Sequence, residues 1–220
     1  MTRVKVCGVR SFDNALMVAE AGADLIGLNL YPESPRFIDA DTAGDLARRL
    51  RARLGDHCPV LVGVFVNESA DRVRELVASV GLDFAQLSGD ESPETLTELG
   101  GIAFKGIRPK SAEAAHKDAD SYLSAIAADA RMPSLLLDAF NPELYGGTGE
   151  TAALDVALAL RDVAPRLMLA GGLNPENVGA RLRAIRPWGV DVASGVEAGT
   201  PGFKDEEKVR AFITEVRKAK

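Results

Sequence analysis

Four kinds of group in this 220-residue sequence could do chemistry together: a thiol, a carboxylate, an arginine fork and two glycine-rich loops. The thiol is Cys7, closing the run VKVCG, and the carboxylate is Asp138, closing SLLLD. Each ends an apolar segment, where a fully solvated group is not the default. Both groups can carry a proton, so one can serve as base and the other as acid. Arg36, in SPR, offers a planar fork that matches a carboxylate or a phosphate, and Pro35 restricts the loop presenting it. A surface arginine pairing with Glu33 or Asp39 is the competing reading. The segments AGGLNPENV and ASGVEAGTPG carry Gly171, Gly172, Ser194 and Gly195. Glycines let backbone N–H groups approach an anion closely, and Asn174 ahead of Pro175 is a candidate cap for a following helix whose dipole would help. A phosphate site is the natural expectation. Together these groups suit proton shuttling on a small phosphorylated acid.

The elements that must position them alternate. Short apolar runs at 4–8, 24–30, 60–66, 84–87, 103–107, 134–138, 166–170 and 189–193 read as strands. Between them lie amphipathic segments such as FDNALMVAEAG, TAGDLARRLRARLG and SADRVRELVASVG, each with a glycine at its end as a stop. Eight strand-then-helix units of roughly 27 residues, with no linker between them, predict an α/β fold: a single (β/α)8 TIM barrel of eight parallel strands with outer helices, one domain over residues 1–220. An open doubly wound sheet is the alternative, but it would often show a Gly-rich fingerprint after the first strand, where this chain reads Val9-Arg10-Ser11. In a barrel, the C-terminal strand ends build the site. Those ends give a polar ring: Cys7, Asn29, Asn67, Gln86 with Ser88, Arg108, Asp138 with the loop AFNPELYGGTGE, Gly171-Gly172 and Ser194-Gly195. Lys5 lies two residues before Cys7 and so shares its inward face. Asp191 is on the eighth strand, which neighbours the first if the barrel closes, so the two should pair inside it. Snorkelling of Lys5 through the barrel bottom is the alternative.

Composition narrows the partners. Net charge is −6 without a Lys/Arg cluster, which argues against a nucleic-acid track or an anionic membrane surface. The longest apolar run, PVLVGVFV, is far below the roughly 20 residues that span a bilayer. No secretory signal is visible, and two cysteines, Cys7 and Cys58, fit a reducing cytoplasm better than a disulfide framework, with a Cys7–Cys58 bridge as the alternative. His57 and His116 sit away from the strand ends, so no metal is expected. There is no G-x-S-x-G elbow, Walker-type loop or Cys–His pair placed for acyl transfer.

The segments VKVCGVRSFDNA, GLNLYPESPRFI, GVFVN, QLSGDE, LLLDA, GGTGET, LAGGLNPENV and DVASGVEAGTPGFKD, in this order, resemble phosphoribosylanthranilate isomerase, the barrel enzyme family of tryptophan biosynthesis. The resemblance implies a cofactor-free Amadori rearrangement of N-(5-phosphoribosyl)anthranilate, a phosphorylated anthranilate substrate, a cytoplasmic setting and a monomer or homodimer. It implies that Cys7 is the base and Asp138 the acid, that Arg36 holds the anthranilate carboxylate, and that backbone N–H groups around Gly171, Gly172, Ser194 and Gly195 hold the phosphate. A free thiol with pKa near 8.5 and a free aspartic acid near 3.9 each start in the wrong protonation state for those roles. Burial should raise Asp138, and a cation or helix N-terminus should lower Cys7. Three places depart from the family pattern: Ser88 where a histidine is usual, ETAALDVA after GGTG, and Ala193 where a serine is common. They bear on substrate detail and rate more than on reaction class. A related phosphate-binding barrel, such as indole-glycerol-phosphate synthase or a metal-dependent pentose-phosphate epimerase, and a non-catalytic metabolite-binding paralogue are the alternatives.

Overall fold

The computed structural model describes residues 1–126, 129–138 and 147–219, the side chains of 147–153 excepted. The elements alternate as β1 (Arg3–Cys7), α1 (Phe12–Glu20), β2 (Leu25–Asn29), α2 (Ala40–Leu54), β3 (Val60–Phe65), α3 (Ala70–Val80), β4 (Phe84–Leu87), α4 (Pro93–Glu98), β5 (Ala103–Ile107), α5 (Ala112–Tyr122), β6 (Leu135–Asp138), α6 (Gly147–Val163), β7 (Leu167–Ala170), α7 (Val178–Ile185), β8 (Gly189–Val192) and α8 (Glu206–Lys218). Every strand pairs in parallel with its sequence neighbour, and β1 also pairs with β8, so the sheet closes into an eight-stranded barrel. An open sheet is thereby excluded.

Strands buried on both faces need apolar residues on both, which is why these segments read as continuous runs and not as alternating ones. Inward-pointing Leu25, Val62, Phe84, Phe104, Leu136 and Met168 fill the barrel's interior. The opposite faces pack under the helices with residues such as Ile26, Leu61, Ala85 and Leu137. Side-chain oxygens of Ser11, Asp39, Ser69, Ser111 and Asp205 accept from backbone N–H groups in the first turns of α1, α2, α3, α5 and α8, fixing where those helices begin. Gly81 ends α3 in the left-handed region (φ 77°), a conformation cheap only for glycine.

One boundary differs from the sequence expectation. Asn174 does not cap α7, which starts at Val178. Its Oδ1 instead accepts from the backbone N–H groups of Glu176 and Asn177, both at 3.0 Å, while Asn177 Oδ1 accepts from Asn174 N at 2.9 Å. Reciprocal turn bonds use up the donors that a longer helix would have offered. The loop AFNPELYGGTGE lies outside the described residues, apart from the backbone of its last four positions at the start of α6.

Candidate active site

At the C-terminal mouth of the barrel, Cys7, Arg36, Gln86, Ser88, Arg108, Asp138, Gly171, Gly172 and Ser194 line one cavity of about 370 Å³. Cys7 from β1 and Asp138 from β6 therefore share a pocket, as their strand-end positions require.

Below the thiol, Lys5 Nζ lies 3.0 Å from Asp191 Oδ2, and the Lys5 side chain is fully buried. The pairing follows from register, since Lys5 stands opposite Asp191 in the β1–β8 ladder. Burial, the largest influence on Lys5, would lower its pKa, but Asp191 and then Cys7 outweigh it and the ammonium is raised above its ordinary value. The cation expected beneath Cys7 is thus present, yet the thiol does not respond as expected. Desolvation pushes Cys7 up, more than Lys5 and Lys204 pull it down, and Asp191 adds to the rise. The expectation of a lowered thiol is corrected: desolvation is the largest influence and wins over two cations, each of which already shares its charge with a carboxylate, Lys5 with Asp191 and Lys204 with Glu197. Cys7 and Cys58 are both free thiols, which removes the alternative of a bridge. Cys7 also needs space on β2. Its ladder partner is Gly27, where a Cβ would lie 2.6 Å from Cys7 Sγ.

Arg36 pairs with neither Glu33 nor Asp39. Tyr31 takes Glu33 through a 2.6 Å hydrogen bond, and Asp39 caps α2. Arg36 Nε and Nη2 instead each donate to Glu197 at 2.8 Å, a bidentate pair. Glu197 also accepts from Gly202 N at 2.8 Å and from Lys204 Nζ at 3.1 Å. Burial would raise the Glu197 carboxyl, but Arg36, Gly202 and Lys204 together hold it down at about 2. The SGVE and GFKD segments thus act through a buried cluster behind the pocket wall.

Asp138 is less buried than expected, with 32% of its side chain exposed, and Arg108 Nε lies 3.3 Å from its Oδ2. Gln86 Nε2 donates to Ser88 Oγ at 3.0 Å, which ties the two cavity-lining side chains together. Two asparagines of the ring leave the pocket. Asn29 Oδ1 accepts from Tyr31 N, and Asn67 is held between Glu91, which accepts from its N–H at 2.8 Å, and Asp90, whose N–H it accepts. Glu91 is in turn paired with buried Lys105 at 2.7 Å, which fastens the loops after β3 and β4. These asparagines shape loops.

Gly171 (φ 94°) and Gly172 (φ 63°) lie in the left-handed region, so a side chain there would strain the turn that follows β7. Gly195 does not line the cavity. A Cβ on it would overlap the Leu173 carbonyl oxygen, so it presses the β8 loop against the β7 loop and keeps Ser194 beside the two glycines. Sequence reasoning gave no separate role to Glu197 or Lys204; only their place in the motifs SGVE and GFKD drew attention to them. Among the described residues, no group of three or more His, Cys, Asp or Glu could hold a metal ion, and no helix is long and apolar enough to cross a membrane.

Residues 4–215 match the family model described as N-(5'phosphoribosyl)anthranilate (PRA) isomerase. The N-(5'-phosphoribosyl)anthranilate isomerase of Citrifermentans bemidjiense is 40% identical over 218 residues, covering 99% of this chain and 98% of that protein. The isomerase of Myxococcus xanthus is 44% identical over 211 residues, covering 96% and 94%. Among solved structures, phosphoribosyl anthranilate isomerase from Thermotoga maritima superposes with a TM-score of 0.84 at 34% identity, covering 99% of this chain and all of the other. A further isomerase structure, in complex with reduced 1-(o-carboxyphenylamino)-1-deoxyribulose 5-phosphate, has a TM-score of 0.82 at 32% identity, with 99% and 100% covered. Likeness of this extent, from the first strand to the last helix, admits one assignment: the chain belongs to the N-(5'-phosphoribosyl)anthranilate isomerase family, aldose–ketose isomerases of tryptophan biosynthesis.

Proposed function

We propose that the cavity at the barrel mouth performs the Amadori rearrangement of N-(5-phosphoribosyl)anthranilate to 1-(o-carboxyphenylamino)-1-deoxyribulose 5-phosphate, with Asp138 as acid and Cys7 as base. Asp138 gives its proton to the furanose ring oxygen, the C1′–O bond breaks, and the anilino nitrogen's lone pair forms the Schiff base. The Cys7 thiolate then takes the C2′ proton, and the electron pair of that C–H bond moves through C1′ to the iminium nitrogen. The enolamine becomes the ketone when C1′ regains a proton and the C2′ hydroxyl loses one. The observation that carries this reading is the placement of Cys7 and Asp138 on the walls of one cavity large enough for a small phosphorylated molecule.

Arg36 is read as the holder of the anthranilate carboxylate, and the backbone around Gly171, Gly172, Ser194 and Gly195 as the phosphate cradle. The reduced product analogue bound by the related structure supports a ligand carrying both groups. No cofactor enters these steps. We read residues 1–220 as one domain acting in the cytoplasm, as a monomer or homodimer; the Thermotoga maritima relative is described as dimeric. The test is loss of the anthranilate substrate's fluorescence with Cys7→Ser and Asp138→Asn. Each should lower kcat by at least about 100-fold with KM little changed. Near wild-type turnover by either variant would show that the assigned group is not the base or the acid.

A further inference from the structure

Arg36 carries five N–H donors on two usable edges, and Glu197 occupies only one of them. Its Nε and one Nη2 hydrogen point at the two oxygens of Glu197, at 2.8 Å each. The second edge, formed by Nη1 and the other Nη2 hydrogen, keeps the parallel geometry that fits a carboxylate. Arg36 lines the cavity with Cys7, whereas Glu197 is buried outside its wall. We infer that Glu197 is a positioning residue for Arg36, one that stays in place during binding and turns the Nη1–Nη2 edge of the guanidinium toward the substrate's ring carboxylate.

Three observations bear on whether Glu197 stays or yields. Its carboxylate accepts from Gly202 N and Lys204 Nζ as well as from Arg36, so an incoming anion that displaced it would leave a buried charge short of its strongest partner. Its anchor Lys204 is fixed independently, with Nζ also donating to Ala193 O at 3.1 Å and its side chain fully buried. The stem of Arg36 is held as well: it lies against Gly8 (φ 72°), where a Cβ would come within 2.5 Å of Arg36 Cδ. With the stem packed on the residue after Cys7 and one edge of the head taken, the edge that no described residue bonds has one direction, and that direction fixes the ring carboxylate relative to the thiol.

The inference rests on Arg36 being the carboxylate holder, and the experiment separates the two. Affinities are measured by calorimetry for reduced 1-(o-carboxyphenylamino)-1-deoxyribulose 5-phosphate and for the same compound without its ring carboxyl, against wild type, Glu197→Ala, Glu197→Gln and Arg36→Met. Wild type should prefer the carboxylated ligand by on the order of 100-fold, the value of one bidentate charge-assisted pair. Glu197→Ala and Glu197→Gln should cut that preference to about fivefold or less while leaving affinity for the descarboxy ligand unchanged, a pattern that general loosening of the fold would not give. Should Glu197→Ala fail to fold, Glu197→Gln, of nearly the same volume, supplies the same ratio. A preference kept at the wild-type value, or raised because the ligand no longer competes with Glu197, overturns the inference. If Arg36→Met itself keeps the preference, the reading of Arg36 beneath it is the one that fails.

Discussion

Lys5→Met tests whether the buried cation sets the reactivity of the thiol above it. An ammonium about 4 Å from a thiolate is worth about 4 kcal/mol at an effective dielectric constant near 20. Asp191, 3.0 Å from the same ammonium, cancels part of that field. Halving the figure leaves about 2 kcal/mol, so removing the cation should cut the thiolate fraction roughly 30-fold, the loss of the pull that Lys5 now exerts. With burial holding Cys7 above its ordinary value, the thiol form dominates at neutral pH, and there the thiolate fraction follows the lost stabilisation in full. On the proposed reading of Cys7 as the base, Lys5→Met should therefore lower kcat/KM about 30-fold at neutral pH. Alkylation of Cys7 by iodoacetamide as a function of pH reads the thiol directly, and its midpoint should move to higher pH. Because the variant also leaves Asp191 unpaired in the barrel, Lys5→Met/Asp191→Asn serves as control: it should recover thermal stability but not the alkylation midpoint. An unmoved midpoint with kcat/KM within about threefold of wild type would refute the argument that Lys5 acts on Cys7.

Two further outcomes follow from the β8 loop. The Glu197 carboxyl lies at about 2 in the folded protein against an ordinary 4.5, so its contribution to stability is complete above pH 4.5 and is lost as pH falls toward 2. The ceiling at pH 7 is about 3 kcal/mol, and solvent screening around the loop reduces it to about 2 kcal/mol. In urea unfolding, the gap between wild type and Glu197→Gln should be of that size at pH 7 and shrink by more than half at pH 3; an equal gap at both would contradict the sign. Gly195→Ala, whose Cβ would overlap the backbone carbonyl of Leu173, should lower stability by about 1–3 kcal/mol and weaken competitive inhibition by inorganic phosphate at least about tenfold, since no rotamer relieves a clash with backbone. Unchanged inhibition by phosphate would mean that the two loops do not form its cradle.

The barrel was legible because its strands announce themselves. Runs such as VLVGVFV are apolar on both faces, and only a sheet covered on both sides accepts them. The Lys5–Asp191 pair was legible for a related reason, since closing the ring sets the last strand beside the first and an inward charge needs a partner. The partner of Arg36 was not. Glu197 lies 161 residues away, and local spacing offered Glu33 and Asp39 instead. Nor could the sequence rank the influences on Cys7, because desolvation depends on how tightly the finished barrel surrounds the sulfur while a nearby cation can be guessed from position alone. Asn29 and Asn67 misled for the opposite reason: the ends of β2 and β3 do reach the mouth, but their amides were already committed to turning the chain.

The glycine on β2 beside Cys7 carries a consequence for how this protein can vary. One methyl group at position 27 would contend with the sulfur for the same volume, so an alanine there would evict the thiol from its station without touching the thiol itself. The proposed base is thereby hostage to a residue that bears no functional group, and a chain that kept every polar side chain at the mouth could still fall silent through the gain of a single carbon.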